Sequence, residues 1–368
     1  MTASEVINLA IGFLGLILGI VMFWSLPVPV FSPGNKKSLP FLSIIIPARN
    51  EGGRISPLLK SLQEQDYKNI EIVVVDDQST DNTVSVAESN GARVLHNEGT
   101  GKSSACWHGS LHAKGQWLLF LDADTTFSSA DGLRNLLHFY NEKGARGIVA
   151  LQPYHTVYRL YEQLSAIFNI IVVVGMNGFT VWGSRFKTAG SFGPCILTNK
   201  DDYLLIGGHK KIEGELMDDL ALGQAFLNKD LPVRCLGGKG IIALRMYPEG
   251  LGTLIEGWCK SFALGSKSTH PLIMLMVIIW IAGSLNITGA LISSIVEMNI
   301  VTMMVSGALF ILYGLQTAWF ARRVGNFRWS IFPFYPVLFL FFAGLYLYSF
   351  IRVNVFHSVK WKGRKIDV

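Results

Sequence analysis

The sequence predicts an α/β domain built on a mostly parallel sheet and joined to transmembrane helices, and three observations lead there. Short runs that are apolar on both faces alternate with segments of helical period between residues 36 and 260. Two of those runs end in acidic pairs, Asp76-Asp77 and Asp122-Ala123-Asp124. Outside this region lie stretches free of charge and long enough to cross a bilayer core, which takes about 20 apolar residues. With 368 residues, 50% hydrophobic and 16% charged, the chain is too apolar for an ordinary soluble enzyme of its length, and the excess sits in those stretches.

The elements follow in order. Val6 to Leu26 reads as an anchor; a cleaved signal peptide is the alternative, but Glu5 is the only early charge and no small-residue cleavage site precedes Pro27-Val28-Pro29. Leu42 to Ile46 is a strand ending at Pro47, and Ile55, Leu58, Leu59 and Leu62 then recur at helical spacing. The pattern repeats as Ile70 to Val75 with a helix from Asp81, Arg93 to Leu95 with a helix from Lys102, and Trp117 to Leu121 with a helix from Asp131. Gly147 to Leu151 makes a further strand. Leu164 to Val181 is apolar but falls short of a comfortable span, so it is expected to lie on the membrane surface or cover the cleft. Leu272 to Val296, Ile300 to Ala321 and Ile331 to Ile351 are three more candidate spans. The expected organisation is an N-terminal anchor over 1–35, a domain over 36–260 divided near 151, and a C-terminal membrane region over 261–368 with two or three spans and a basic tail.

Basic residues beside spans mark the cytoplasmic side. Lys36, Lys37, Lys260, Lys267, Arg322, Arg323 and Arg328 agree in placing the domain in the cytoplasm. The tail disagrees, because three C-terminal crossings would put Lys360, Lys362, Arg364 and Lys365 outside; a re-entrant segment at Pro333 and Pro336 is the alternative. The net charge of +6 therefore reads as topology and attraction to anionic headgroups, with no interleaved basic and aromatic platform for nucleic acid. Cys106, Cys195, Cys235 and Cys259 lack metal-ligand spacing and read as reduced, buried and structural.

In an open α/β sheet, ligands gather beyond the carboxyl ends of strands, so acidic residues there can share one crevice. Carboxylates one residue apart suit Mg²⁺ or Mn²⁺, with a diphosphate completing the coordination. Pro47-Ala48-Arg49-Asn50-Glu51 turns the first strand into its helix; Asn50 or Glu51 serves either as a cap or in binding. Asp77 either braces Ser79, Thr80 or Asp81, or accepts the imide N–H of a uracil. Gly99-Thr100-Gly101-Lys102-Ser103 is not a P-loop, because His96 stands where the first glycine is required. It can still hold phosphate or ribose at a helix N-terminus, with Lys102 supplying charge.

Together the Pro47 to Glu51 turn, Asp76-Asp77-x-Ser79-x-Asp81, Gly101-Lys102 and Asp122-x-Asp124 resemble the family 2 glycosyltransferases, over about 200 residues. The resemblance implies the GT-A type of nucleotide-diphospho-sugar transferase fold and a UDP-sugar donor. It further implies that Pro47, Arg49, Glu51 and Asp77 border the nucleotide with Lys102 near. Asp122 and Asp124 would serve ribose, diphosphate and the divalent cation, Asp124 as the more direct metal ligand. Asp218-Asp219 stands where such enzymes carry an acidic pair containing the catalytic base; otherwise it is an acidic helix start.

Gln152-Pro153-Tyr154-His155, Phe192-Gly193-Pro194, Thr198-Asn199-Lys200, Gly207-Gly208-His209, Arg245-Met246-Tyr247, Glu256-Gly257-Trp258 and the Trp361 to Arg364 tail are similar to the carotenoid-acid glycosyltransferases of staphyloxanthin-type biosynthesis. That similarity implies inverting transfer of glucose from UDP-glucose to the carboxylate of the C30 acid 4,4'-diaponeurosporenoate. A polyprenyl phosphate or another membrane lipid is the alternative acceptor, although few basic residues beyond Lys187, Lys200, Lys210 and Arg245 stand in the acceptor half. Glu256-Gly257-Trp258-Cys259-Lys260 departs from the Gln-x-x-Arg-Trp of processive members, which implies single transfer. Trp258 either stacks on sugar or acceptor or belongs to an interfacial belt, and Lys260 or Arg245 either neutralises the departing diphosphate or joins that belt. His209 is either an acceptor-site hydrogen-bond partner or a structural loop residue.

Overall fold

The computed structural model of the chain describes residues 2–30, 39–215, 217–265, 268–356, 358–361 and 364–367. Lys36, Lys37, Lys267, Lys362 and Gly363, used above for orientation and resemblance, lie outside the described residues. In chain order the elements are α1 (Ala3–Met22), β1 (Leu42–Ala48), α2 (Ile55–Gln63), β2 (Ile70–Asp76), α3 (Thr83–Ser89), β3 (Arg93–His96), α4 (Lys102–His112), β4 (Trp117–Leu121), β5 (Thr125–Phe127), α5 (Gly132–Glu142), β6 (Ile148–Gln152) and β7 (Tyr154–His155). Then come α6 (Ala166–Gly175), β8 (Cys195–Asn199), α7 (Lys200–Leu205), α8 (Asp218–Leu227), β9 (Val233–Gly237), β10 (Ile242–Leu244), α9 (Leu251–Gly265), α10 (Pro271–Val296), α11 (Ile300–Val324), α12 (Tyr335–Asn354), β11 (Ser358–Trp361) and β12 (Arg364–Asp367).

The chain divides into two compact units. One comprises Pro27–His155 and Thr188–Met246. Its sheet runs β3-β2-β1-β4-β8-β6-β9, with β8 antiparallel to both neighbours and the other pairings parallel. The both-face-apolar strands are buried as such: Ile44, Ile45 and Ile46 of β1 and Val73, Val74 and Val75 of β2 are fully enclosed. On one face α2 and α5 contribute Ile55, Leu58, Leu59, Leu62, Leu133, Leu136 and Leu137 to the core. A small sheet, β5-β10-β7, completes this unit.

The other unit comprises Met1–Leu26, Thr156–Lys187 and Tyr247–Val368. Four helices in it are long and apolar enough to cross a membrane: Ala3–Met22, Pro271–Val296, Ile300–Val324 and Trp329–Asn354. They overlap the four spans read from the sequence, the first ending at Met22 instead of Leu26. In the apolar stretch at 164–181 a 3-10 turn, Tyr161–Ser165, runs into the ten-residue α6, and this helix, Tyr161–Gly175, stays short of the roughly 20 residues that a crossing needs. Residues 156–187 and 247–260, expected in the domain, group here with the apolar helices. The reason is aromatic packing: Phe168 stacks on Trp258 at 5.0 Å and meets Phe342 edge-on at 4.9 Å.

Candidate active site

Strand order runs from β1 outward through β2 to β3, then returns past β1 to β4, so the direction of winding switches between β1 and β4. Crevices form at such switch points, beyond the carboxyl ends of the strands. The residues following β1 and β4 there are Arg49 to Glu51 and Asp122 to Asp124.

The loops after β1 and β2 are stitched together. Asn50 adopts a positive φ of 54°, its N–H donates to Ser79 Oγ at 3.0 Å, and its side-chain oxygen accepts from the Thr80 N–H at 2.8 Å. The N–H groups of Glu51 and Gly52 donate to Thr83 Oγ1 (2.8 Å) and Asp81 Oδ2 (3.1 Å). Asn50 thus acts as a brace between loops. Pro47 remains within β1, opposite Val75.

Asp76 holds Ser79, accepting its N–H at 3.2 Å, whereas Asp77 reaches the next loop. Both Asp77 oxygens accept from the Gly101 N–H, at 3.0 and 2.9 Å, and Oδ1 also accepts from Asn97 Nδ2 at 2.8 Å. Gly101 has φ of 92°, a conformation that a β-carbon would strain. The exposed Arg49 guanidinium lies 3.6 Å from Asp77.

That anchored Gly101 is the N-cap of α4, and Lys102 is its first helical residue. The Lys102 ammonium lies 2.9 Å from Asp122 Oδ1 and 3.4 Å from Asp219 Oδ1. Desolvation opposes its charge, but Asp122, Asp219 and Asp218 outweigh it and hold the ammonium well above its ordinary range. Two acidic sites almost a hundred residues apart in sequence are thereby joined through one cation.

Asp219 stands in the first turn of α8, as does Asp218. Its carboxyl is raised to about 7 by burial and then by Asp218, with Lys102 opposing the shift. The segment before β8 fixes it: Ser191 Oγ donates to the Asp219 carbonyl at 2.6 Å, and Gln224 Nε2 donates to the Ala189 carbonyl at 2.7 Å. A β-carbon at Gly193 would fall 1.7 Å from Asp219 Oδ2, so only glycine admits the carboxylate.

Asp124 is raised to about 7 by burial and then by the neighbouring charges of Asp122 and Glu51. Hard carboxylate oxygens in mutual repulsion are a donor set that a divalent cation would relieve, so Asp122 and Asp124 fit Mg²⁺ or Mn²⁺. Among the described residues no group of three or more His, Cys, Asp or Glu converges as a complete metal site. Such an ion would therefore draw further ligands from substrate and water.

Other predicted residues stand outside this ion-paired cluster. His209 is buried; Nδ1 pairs with the Tyr203 hydroxyl at 2.9 Å, and its ring packs 4.8 Å from Phe120. Burial pushes its pKa down to about 3, which keeps the imidazole neutral beside the Tyr203 hydroxyl. Arg245 directly follows β10 and is half-buried. Trp258 belongs to the other unit and is 2% exposed; its Nε1 donates to Ser165 Oγ at 3.0 Å, its ring stacks on Phe168, and Tyr247 lies edge-on at 5.8 Å. Lys260 lies two residues on, half-buried in α9. The cysteines are free, and burial raises the thiols of Cys106, Cys195 and Cys235.

Asn97 and Ser191 were not singled out from sequence. Asn97 also had a local signal, since an Asn directly before a glycine-rich turn can brace it: its oxygen accepts from the Gly99 N–H at 3.3 Å and from Ser104 Oγ at 3.1 Å. Ser191 had none.

Residues 43–188 match the family model described as glycosyl transferase family 2. The chain is 39% identical, over 334 residues, to a 4,4'-diaponeurosporenoate glycosyltransferase of Staphylococcus aureus strain USA300, covering 89% of this chain and 88% of that protein. The protein of the same name from strain MRSA252 is 38% identical over the same shares. Among solved structures, a mannosyltransferase of Pyrobaculum calidifontis in complex with GDP-Man and Mn²⁺ shares the fold, with TM-score 0.52, 16% identity, and 94% of this chain and 99% of that one covered.

Proposed function

This chain belongs to the family 2 glycosyltransferases, and on that premise we propose that it moves glucose from UDP-glucose to the terminal carboxylate of a C30 carotenoid acid, 4,4'-diaponeurosporenoate, with inversion. The observation carrying the acceptor is the 39% identity, which extends over 89% of the chain and therefore beyond the nucleotide half to relatives bearing that name. Four helices long and apolar enough to span a membrane suit such a substrate. A soluble enzyme would have to draw a polyene from lipid at about 0.8 kcal/mol per CH₂. Lys260, Arg322, Arg323 and Arg328 beside those helices support a multi-pass protein with its sheet unit in the cytoplasm.

In this reading Arg49, Glu51 and Asp77 border the uridine, and Asp122 and Asp124 hold a divalent cation. Bound there, the cation supplies Lewis-acid stabilisation to the departing diphosphate. A carboxylate acceptor is already ionised near neutrality, its pKa being about 4 to 5. The ester C–O bond therefore forms as the anomeric C–O bond to phosphate breaks, the electron pair leaves with UDP, and no proton has to be removed. Asp218 and Asp219 then serve chiefly to position acceptor and donor. Lys102, and Arg245 as a second candidate, supply positive charge to the leaving phosphates.

The test gives membranes containing the protein labelled UDP-glucose and Mn²⁺, with the carotenoid acid or polyprenyl phosphate offered separately. Label on the carotenoid that mild alkali releases is the expected product. Label on polyprenyl phosphate alone would overturn the acceptor and leave the family intact.

A further inference from the structure

Lys102 is the one ammonium or guanidinium within 4 Å of Asp122 or Asp219 among the described residues. We propose that it is a resident counter-cation which the divalent cation must displace from Asp122, so that metal loading and the release of Lys102 toward the reacting phosphates are one event. This rests on Asp122 and Asp124 being the cation site of the proposed function.

Geometry carries the inference. The Asp122 backbone is tied to β8's approach by its N–H to the Pro194 carbonyl at 3.0 Å. The Asp219 carboxylate lies against Gly193, and Ser191 holds the Asp219 carbonyl. The start of α4 is tied to Asp77 through the Gly101 N–H. Three backbones are thus held in place, and the movable part is the four-carbon stem of Lys102, which carries a compact, rotatable ammonium. That ammonium bonds the Asp122 oxygen at 2.9 Å. A Mg²⁺-sized ion sits about 2.0 to 2.1 Å from a carboxylate oxygen. Two cations crowded on one partly buried carboxylate repel, so the ion and the ammonium compete for it. Once off Asp122, the ammonium is free to meet negative charge arriving with the donor.

Competition makes an unusual prediction: deleting the lysine charge improves metal binding and damages turnover. Mn²⁺ is titrated by electron paramagnetic resonance into the detergent-solubilised full chain without nucleotide. Lys102→Met should bind Mn²⁺ about tenfold tighter than the native protein, Lys102→Arg should stay near native, and sugar transfer by Lys102→Met should fall. Native protein that binds Mn²⁺ while Lys102→Met binds it no better overturns this inference alone. Mn²⁺ binding to neither, with or without UDP, overturns the metal site and the inference with it. A measurement on the native protein covers the case in which Lys102→Met does not fold. An amine-acylating reagent, read by peptide mass spectrometry, should label Lys102 faster when Mn²⁺ is present, and equal or slower labelling overturns the proposal.

Discussion

In the unit of apolar helices, three buried polar side chains join one helix to another. The Tyr313 hydroxyl donates to the Gly12 carbonyl at 3.0 Å, Gln316 Nε2 donates to the Leu16 carbonyl at 2.7 Å, and Gln316 Oε1 accepts from Trp280 Nε1 at 2.8 Å. Each is a neutral group meeting a neutral partner, as an environment without water requires. In the sheet unit, by contrast, Asp122 and Asp219 converge on one lysine while Asp124 is raised by burial and then by its acidic neighbours. Charge there is left in excess over its partners. The comparison teaches where ligands are expected: a matched polar network stabilises, whereas an unbalanced one is completed by cation and substrate.

The most direct way to break this contrast is to neutralise the imbalance. Asp122→Asn should lower sugar transfer on the order of 10³-fold, as loss of a cation ligand and of Lys102's partner, while the thermal midpoint in detergent holds or rises because carboxylate repulsion is relieved. A midpoint that collapses with activity would make Asp122 a structural residue. Next in size is Gly193→Ala, whose methyl overlaps the Asp219 carboxylate. Displacing that group by about 1 Å should cost about 10²-fold in turnover, with donor binding, read by UDP titration, nearly unchanged. Equal losses in both would place Gly193 in general folding.

His209 sharpens the contrast from inside the sheet unit, because it is a neutral, matched group near the charged ones. Its folded pKa of about 3 lies below the ordinary 6.5, so the unfolded chain binds the extra proton first. Its stabilisation is complete above about pH 6.5 and is lost as pH falls toward 3, by up to about 1.4 kcal/mol per pH unit. Thermal unfolding at pH 7 and pH 5 should show this slope, and His209→Phe should flatten it. The smallest effect belongs to the helices. Gln316→Leu should cost about 0.6 kcal/mol, the average for a polar contact in a membrane bundle, and leave the rate of transfer alone. A large loss of rate would tie the helical network to the chemistry.

Much of the architecture was legible in the residues. Strand ends at Val75 and Leu121 and helices from Lys102 and Asp131 follow from short-range periodicity and from polar residues that stop it, and the observed β2, β4, α4 and α5 agree to within a residue. The candidate spans were equally plain, because about 20 uncharged residues in a row have few other uses. Candidate site residues were harder to read. The residues leave Asp77 open between bracing Ser79 to Asp81 and meeting a uracil; its carboxylate holds Gly101, 24 positions on, while Asp76 takes Ser79. Trp258 reads from sequence either as a face for sugar or acceptor or as part of an interfacial belt, and its ring packs on Phe168.

What the sequence determined by itself, then, is the set of elements and the acidic residues at their ends, since helical and strand periods and bilayer thickness are local constraints written in consecutive residues. Tertiary structure alone decided which charges meet. Lys102 reaches Asp122 and, across 117 positions, Asp219 because β4 returns to lie beside β1 and the Ala189 to Pro194 segment locks α8 in place. The electrostatic balance of a site depends on distances of 3 to 4 Å between such groups, and no run of consecutive residues encodes a distance across the fold.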